Sequence, residues 1–194
     1  FRGKHYDPCI PFRYNAVHNE YIVNSNCPLE HLARALEELP SSRLIRWLHG
    51  YPSLVAEFAG VIEDGFPALA ESLRNQLFGI LLGSEYPTLF YRNRIERVLS
   101  SNIVSWYGHS EMAILARETA IGAYQSLPTY GYAEAVPVID GEHRSARLIC
   151  TSFYNRAHPF IRYDTGDLVE PLSNSGASLA FRVVEGRVGD FVID

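Results

Sequence analysis

Lysine is nearly missing from this chain of 194 residues: Lys4 is the only one, and every other basic residue is arginine. Chemistry that needs an ammonium group must take it from Lys4 or from outside the sequence. Cysteine is scarce as well. Cys9, Cys27 and Cys150 are odd in number and widely spaced, with no C-x-x-C pair. That argues against a disulfide framework or a zinc knuckle and fits reduced thiols. No apolar run approaches the roughly 20 residues that span a bilayer, and the first residues lack the apolar core of a signal peptide. The net charge of -5 offers no concentrated positive face for a phosphate backbone, so nucleic acid is not the expected partner. Internal repeats and low-complexity tracts are absent. The expectation left standing is a soluble, cytoplasmic protein.

What is present suffices for a real core, because 47% of the residues are hydrophobic and only 20% charged. Leu29, Leu32, Ala33, Leu36 and Leu39 recur at helical spacing, with Glu30 and Arg34 paired at i,i+4 and Pro28 suited to a first helical position. Arg43 to Leu48 reads as a strand. Leu54, Val55, Phe58, Ala59 and Ile62 mark a second helix, and Pro67 opens a third along Leu69, Leu73 and Leu77. Phe78 to Leu82 is a compact apolar run, and a helix over about 87–100 separates it from a strand at Ile103 to Trp106. Strand, helix, strand at this spacing predicts an α/β fold with parallel neighbours.

After about Leu127 the pattern turns to β. Ala133 to Ile139, Arg147 to Tyr154, Phe160 to Tyr163, Leu168 to Leu172 and Leu179 to Val184 are strand candidates, punctuated by Asp140-Gly141, Thr165-Gly166-Asp167 and Glu185-Gly186. A small barrel or curled antiparallel sheet is expected. The division read from the sequence is 1–126 for an α/β part and 127–185 for a β-rich part, with 186–194 following as a hinge.

Two apolar runs end in similar turns, Gly83-Ser84-Glu85 and Gly108-His109-Ser110-Glu111. Side by side, these turns would wall one pocket. Beyond the carboxyl ends of parallel strands, a helix start aims backbone N–H groups at an anion. There Tyr107 can offer a flat face to a base, Ser110 can bond a phosphate oxygen and Glu111 can hold a hard cation such as Mg2+. A plain strand-to-helix turn, with glycine for the bend and serine as cap, explains the same letters. Asp167 has two oxygens that match a vicinal diol, or it closes a turn through its own backbone. Arg187 can offer its planar fork to a ribose or phosphate, or serve as a surface residue. Gly108-His109-Ser110-Glu111 lacks the second glycine of a nucleophile elbow, which argues against a serine hydrolase.

Three elements stand in a telling order: Tyr107 to Glu111, Tyr163 to Leu168, and Gly186 to Asp190. Together they resemble the adenylate-forming superfamily of acyl-CoA synthetases, luciferases and adenylation domains. With His49 to Ser53, Gly83 to Glu85 and Asn155 to Tyr163, the chain looks most like the phenylacetate-CoA ligase branch, which includes capsule-associated proteins. The resemblance implies part of a large N-terminal domain, a parallel-sheet α/β subdomain followed by a small β-barrel-like one. It implies an ATP-dependent ligase that adenylates a small carboxylic acid and passes the acyl group to CoA or another acceptor.

By resemblance, Tyr107 stacks on adenine with Gly108 beside it in the nucleotide site, and the backbone of Gly83, Ser84 and Glu85 lines its other side. Ser110 faces the α-phosphate, Glu111 binds Mg2+, and Asp167 and Arg187 hold the ribose. His109 is in place to touch the substrate carboxylate, or is a packed or solvated histidine, and Tyr51 borders the acyl pocket or is a core tyrosine. The family's phosphate loop is expected upstream of Phe1 and its lysine-bearing domain downstream of Asp194, so an internal piece with little activity alone is expected. The competing expectation is a catalytically silent nucleotide-binding or scaffold module.

Overall fold

The structure, a computed structural model, describes residues 10–40, 44–138 and 145–185. The fold is mixed α/β, as expected, and divides into two compact units.

The first unit comprises residues 1–80 and 88–103. It opens with an antiparallel hairpin of β1 (Phe12–Asn15) and β2 (Glu20–Val23). Helix α1 (Leu29–Glu37) forms where the leucines predict, with Pro28 as its N-cap rather than its first residue. β3 (Trp47–Gly50) lies a few residues later than the expected strand. Pro52 and Pro67 each start a helix, α2 (Pro52–Gly65) and α3 (Pro67–Gln76), because proline's missing N–H costs nothing in a first turn. α4 (Leu89–Leu99) is capped by Thr88, whose hydroxyl accepts the Tyr91 N–H at 3.4 Å. Val55, Ala59, Ile62, Leu73, Ile95 and Leu99 fill the core between helices. Gly60 is where Arg94 crosses α2, since a Cβ there would stand 2.0 Å from the guanidinium. The start of β4 (Gly79–Leu82) is fixed in this unit. Phe78 donates to the Arg46 carbonyl and Ile80 to the Asn102 carbonyl, both at 2.8 Å.

The second unit comprises 81–87 and 104–194. Its strands are β5 (Ile103–Gly108), β6 (Leu115–Ala120), β7 (Ala123–Ser126), β8 (Gly131–Pro137), β9 (Ala146–Ser152), β10 (Tyr163–Asn174) and β11 (Leu179–Glu185). They hydrogen-bond in the order β5-β6-β7-β11-β10-β9-β8, each pair antiparallel. Ile114, Tyr124, Leu148, Val169, Leu179 and Phe181 are its buried centre.

Two sequence expectations are corrected here. No helix follows Gly108: β5 turns through residues 109–114 and returns as β6, with Gly108 opposite Leu115. β6 and β7 belong to the same antiparallel sheet, in the second unit. Nor is Thr165-Gly166-Asp167 a turn between strands. It is a bulge inside β10, where the three residues face Leu148 alone, between the pairs Asp164 with Ile149 and Leu168 with Arg147. Gly166 takes a φ of 78°, open to glycine without strain. An excess of two residues preserves the alternation of faces, so Thr165, Asp167 and Val169 all remain buried.

Candidate functional site

Five side chains from β5, its following loop and β10 gather in one polar cluster. Tyr107, opposite Ala116 on β5, donates its hydroxyl to Oδ2 of Asp167. The same hydroxyl lies 3.2 Å from Nε2 of His109. His109 turns its Nδ1 toward Oε2 of Glu111 at 3.9 Å, and Tyr163 of β10 donates to Oε1 of Glu111 at 3.3 Å. Residues 107 and 167 thus meet across the bulge, which presents Asp167 with only 6% of its surface exposed. Thr165 holds the bulge from below. Its hydroxyl donates to the Leu148 carbonyl at 2.9 Å and accepts the Asp167 N–H at 3.2 Å.

The Tyr107 ring is locked by packing. It meets His109 and Phe181 edge-to-face, with centroids 5.5 and 5.4 Å apart, and tilts against Tyr124 at 6.1 Å. Burial first, then the bond to Asp167 and its charge, push the Tyr107 phenol well above the usual tyrosine range. Cys150, under the same site, is pushed up to about 12, by burial first and then by the charges of Asp167 and Glu134. Both groups hold their protons at neutral pH. Tyr107 is then a donor and Asp167 an acceptor.

The remaining predicted residues divide. Ser110 is exposed at the tip of the loop, between His109 and Glu111, in a turn where Met112 donates to the His109 carbonyl at 3.1 Å. Met112 has a φ of 56°, a conformation that costs a side-chain-bearing residue energy and is found more often near functional sites. Gly83 is buried against Trp106, the side chain next to Tyr107 and, on a strand, directed to the opposite face. Ser84, with a φ of 68°, and Glu85 are exposed beyond it. Tyr51 is the N-cap of α2 in the first unit, 43% exposed. Arg187 and the Gly186 to Asp190 element lie outside the described residues.

Among the described residues no three or more His, Cys, Asp or Glu side chains gather as a ready cation site. Glu111 alone still fits Mg2+, which is commonly held by one or two carboxylates and completes its shell with water and substrate phosphate. Sequence reasoning missed Tyr163 and Thr165 as site residues although both lie in the Tyr163 to Leu168 element. Tyr124, Cys150 and Phe181 carry no signal, since each reads as an ordinary strand residue. Two surface clefts of about 340 and 240 Å3 lie in the first unit, one over Cys27 and Leu54, the other over Ala70 and Arg74, and neither touches this cluster.

The fold is similar to part of several solved ligase structures. It is similar to an open conformation of 2-hydroxyisobutyryl-CoA ligase in complex with 2-HIB-AMP and CoA (TM-score 0.58, 18% identity, 83% of this chain and 39% of that one). It is also similar to a malonyl-CoA ligase ternary product complex with methylmalonyl-CoA and AMP (0.50, 17%, 87% and 39%). An acyl acid amido synthetase in complex with 2,4-DB is a third (0.54, 15%, 82% and 38%). At these identities the likeness is one of fold. The chain spans well under half the length of each of these structures. No protein-family model matches the sequence, and no curated protein matches it significantly.

Proposed function

We propose that the chain carries the nucleotide-gripping part of an ATP-dependent carboxylate ligase, of the kind that adenylates a small carboxylic acid and transfers the acyl group to CoA. The observation that carries this reading is the convergence of Tyr107, Glu111 and Asp167 through His109 and Tyr163. The likeness to ligase structures solved with AMP and CoA supports it. The phenylacetate-CoA ligase branch and a cytoplasmic setting are part of the same proposal, on the motifs and the cysteine usage.

In this reading Asp167, fixed by a bulge, accepts the ribose hydroxyls, and Tyr107 borders the base with Gly108 and the Gly83 to Glu85 turn. Ser110, at the loop tip, donates to the α-phosphate. Glu111, oriented by Tyr163, holds Mg2+, which when bound offsets charge developing at phosphorus. Arg187 contacts the ribose, and His109 faces the carboxylic acid. With Lys4 as its only lysine, the chain is expected to adenylate weakly by itself.

The test is ATP–pyrophosphate exchange, measured with a panel of carboxylic acids on the protein that bears this sequence. Glu111→Ala and Asp167→Ala are each expected to lower exchange at least a hundredfold. Unchanged exchange in both would reject the assignment. AMP binding without exchange for any acid would favour a silent nucleotide-binding module instead.

A further inference from the structure

The bulge that presents Asp167 is held by side chains as much as by its neighbour strand. Its three residues face Leu148 alone, so the ladder cannot serve every backbone group there. Asp164 accepts the Gly166 N–H on Oδ1 at 3.0 Å, and the Thr165 hydroxyl accepts the Asp167 N–H at 3.2 Å. These are two overlapping turns, each closed by a side chain on the amide two residues ahead. Thr165 also donates its hydroxyl to the Leu148 carbonyl at 2.9 Å, which ties the bulge to β9. Thr165 is buried, whereas Asp164 lies at the surface with Oδ2 2.9 Å from Arg147.

From this geometry we infer that Asp164 and Thr165 are positioning residues for nucleotide recognition: their paired turns fix the bulge, and the bulge aims the Asp167 carboxylate at the ribose. The inference rests on Asp167 being the ribose site. Each side chain supplies an acceptor for one amide, so its oxygen matters and its charge does not. The exposed ion pair of Asp164 with Arg147 adds little by itself. Without its acceptor an amide must find another partner, and the carboxylate at the end of the bulge shifts as it does so. The consequence is lost selectivity, because a displaced carboxylate gives up the hydroxyls while contacts to base and phosphate, made by other residues, persist.

Calorimetric titration of the chain with AMP and with 2′,3′-dideoxy-AMP tests this, because the ratio of the two dissociation constants isolates what the hydroxyls contribute. Thr165→Val, which keeps the branched shape without the hydroxyl, and Asp164→Ala are each expected to reduce the native ratio about threefold to tenfold, the worth of up to one hydrogen bond. Thr165→Ser and Asp164→Asn keep the acceptor and are expected to hold the ratio within about twofold of native. Arg147→Ala is expected to do the same.

A native ratio in Asp164→Ala overturns the positioning role, and this surface variant decides the matter where Thr165→Val does not fold. Weaker binding of both nucleotides at an unchanged ratio overturns it too, since that is the mark of general structural damage. If the ratio falls as far in Asp164→Asn or Arg147→Ala as in Asp164→Ala, the charge and not the acceptor is responsible, and the inference fails. Asp167→Ala separates these failures from that of the site itself. If the native chain binds the two nucleotides alike, or binds neither, or if Asp167→Ala keeps the native ratio, the ribose assignment falls and the inference with it.

Discussion

Tyr163 donates its hydroxyl to Glu111 across 3.3 Å, tying β10 to the loop between β5 and β6. One of the two oxygens proposed for Mg2+ is thereby aimed by a residue from a distant stretch of sequence. Tyr163→Phe is expected to raise the Mg2+ concentration for half-maximal AMP binding about threefold to tenfold, with AMP affinity in the absence of Mg2+ unchanged. Titration of Mg2+ at fixed AMP reads this directly. An unchanged midpoint would remove Tyr163 from the site.

Gly131 is where that loop comes to rest. A Cβ at this position of β8 would stand 2.2 Å from the Ala113 carbonyl oxygen and 2.9 Å from that of Thr151, both backbone atoms with little freedom to yield. Gly131→Ala is expected to cost about 1–3 kcal/mol in urea unfolding, through overpacking, and to weaken AMP binding because residues 109–113 must move. Native stability in this variant would show that the loop is not held against β8.

Glu118 fastens β6 at two points, accepting the Ser105 N–H at 3.1 Å and the Gly122 N–H at 2.9 Å. Glu118→Ala leaves both donors without the carboxylate and is expected to cost about 2 kcal/mol. Glu118→Gln keeps one acceptor but turns an amide NH2 toward the other backbone N–H, so it is expected to recover only part of that loss. Native stability in Glu118→Ala would show that the carboxylate does not hold β6.

Alkaline pH should expose the buried acids. With Cys150 raised from 9.0 to about 12, the unfolded chain releases the thiol proton first. The unfolded state then binds fewer protons, so this contribution to stability is complete below pH 9 and falls as pH rises toward 12. The expected slope is about 1.4 kcal/mol per pH unit. Tyr107, also raised, adds to the decline above pH 10. Urea midpoints followed from pH 8 to 11 should fall less steeply in Cys150→Ala than in the native chain. Parallel curves would refute the assignment.

The helices were legible because their signals are local. Pro67, the apolar spacing of α2 and the leucine spacing of α1 mark helices and their faces without help from the rest of the chain. The return of the chain after Gly108 was not legible. β6 reads Leu-Ala-Arg-Glu-Thr-Ala, with modest β-propensity, and becomes a strand by pairing with β5 and β7. The letters of Thr165-Gly166-Asp167 likewise name a turn, and only the flanking pairs with β9 convert it into a bulge. At the site, Tyr107 and Asp167 were both identified from motifs. Their mutual bond was not, since nothing in either motif encodes that the phenol and carboxylate face each other.

Because Leu168 and Val169, next to Asp167, are paired to β9 and β11 on their two sides, Asp167 is anchored beside a doubly paired stretch, while Tyr107, His109 and Glu111 border a loop. Whatever rearrangement admits a ligand must then originate on the loop side, leaving the carboxylate as a stationary post. Deuterium uptake would display that asymmetry: backbone amides over 167–169 should outlast those over 109–113 by orders of magnitude in time.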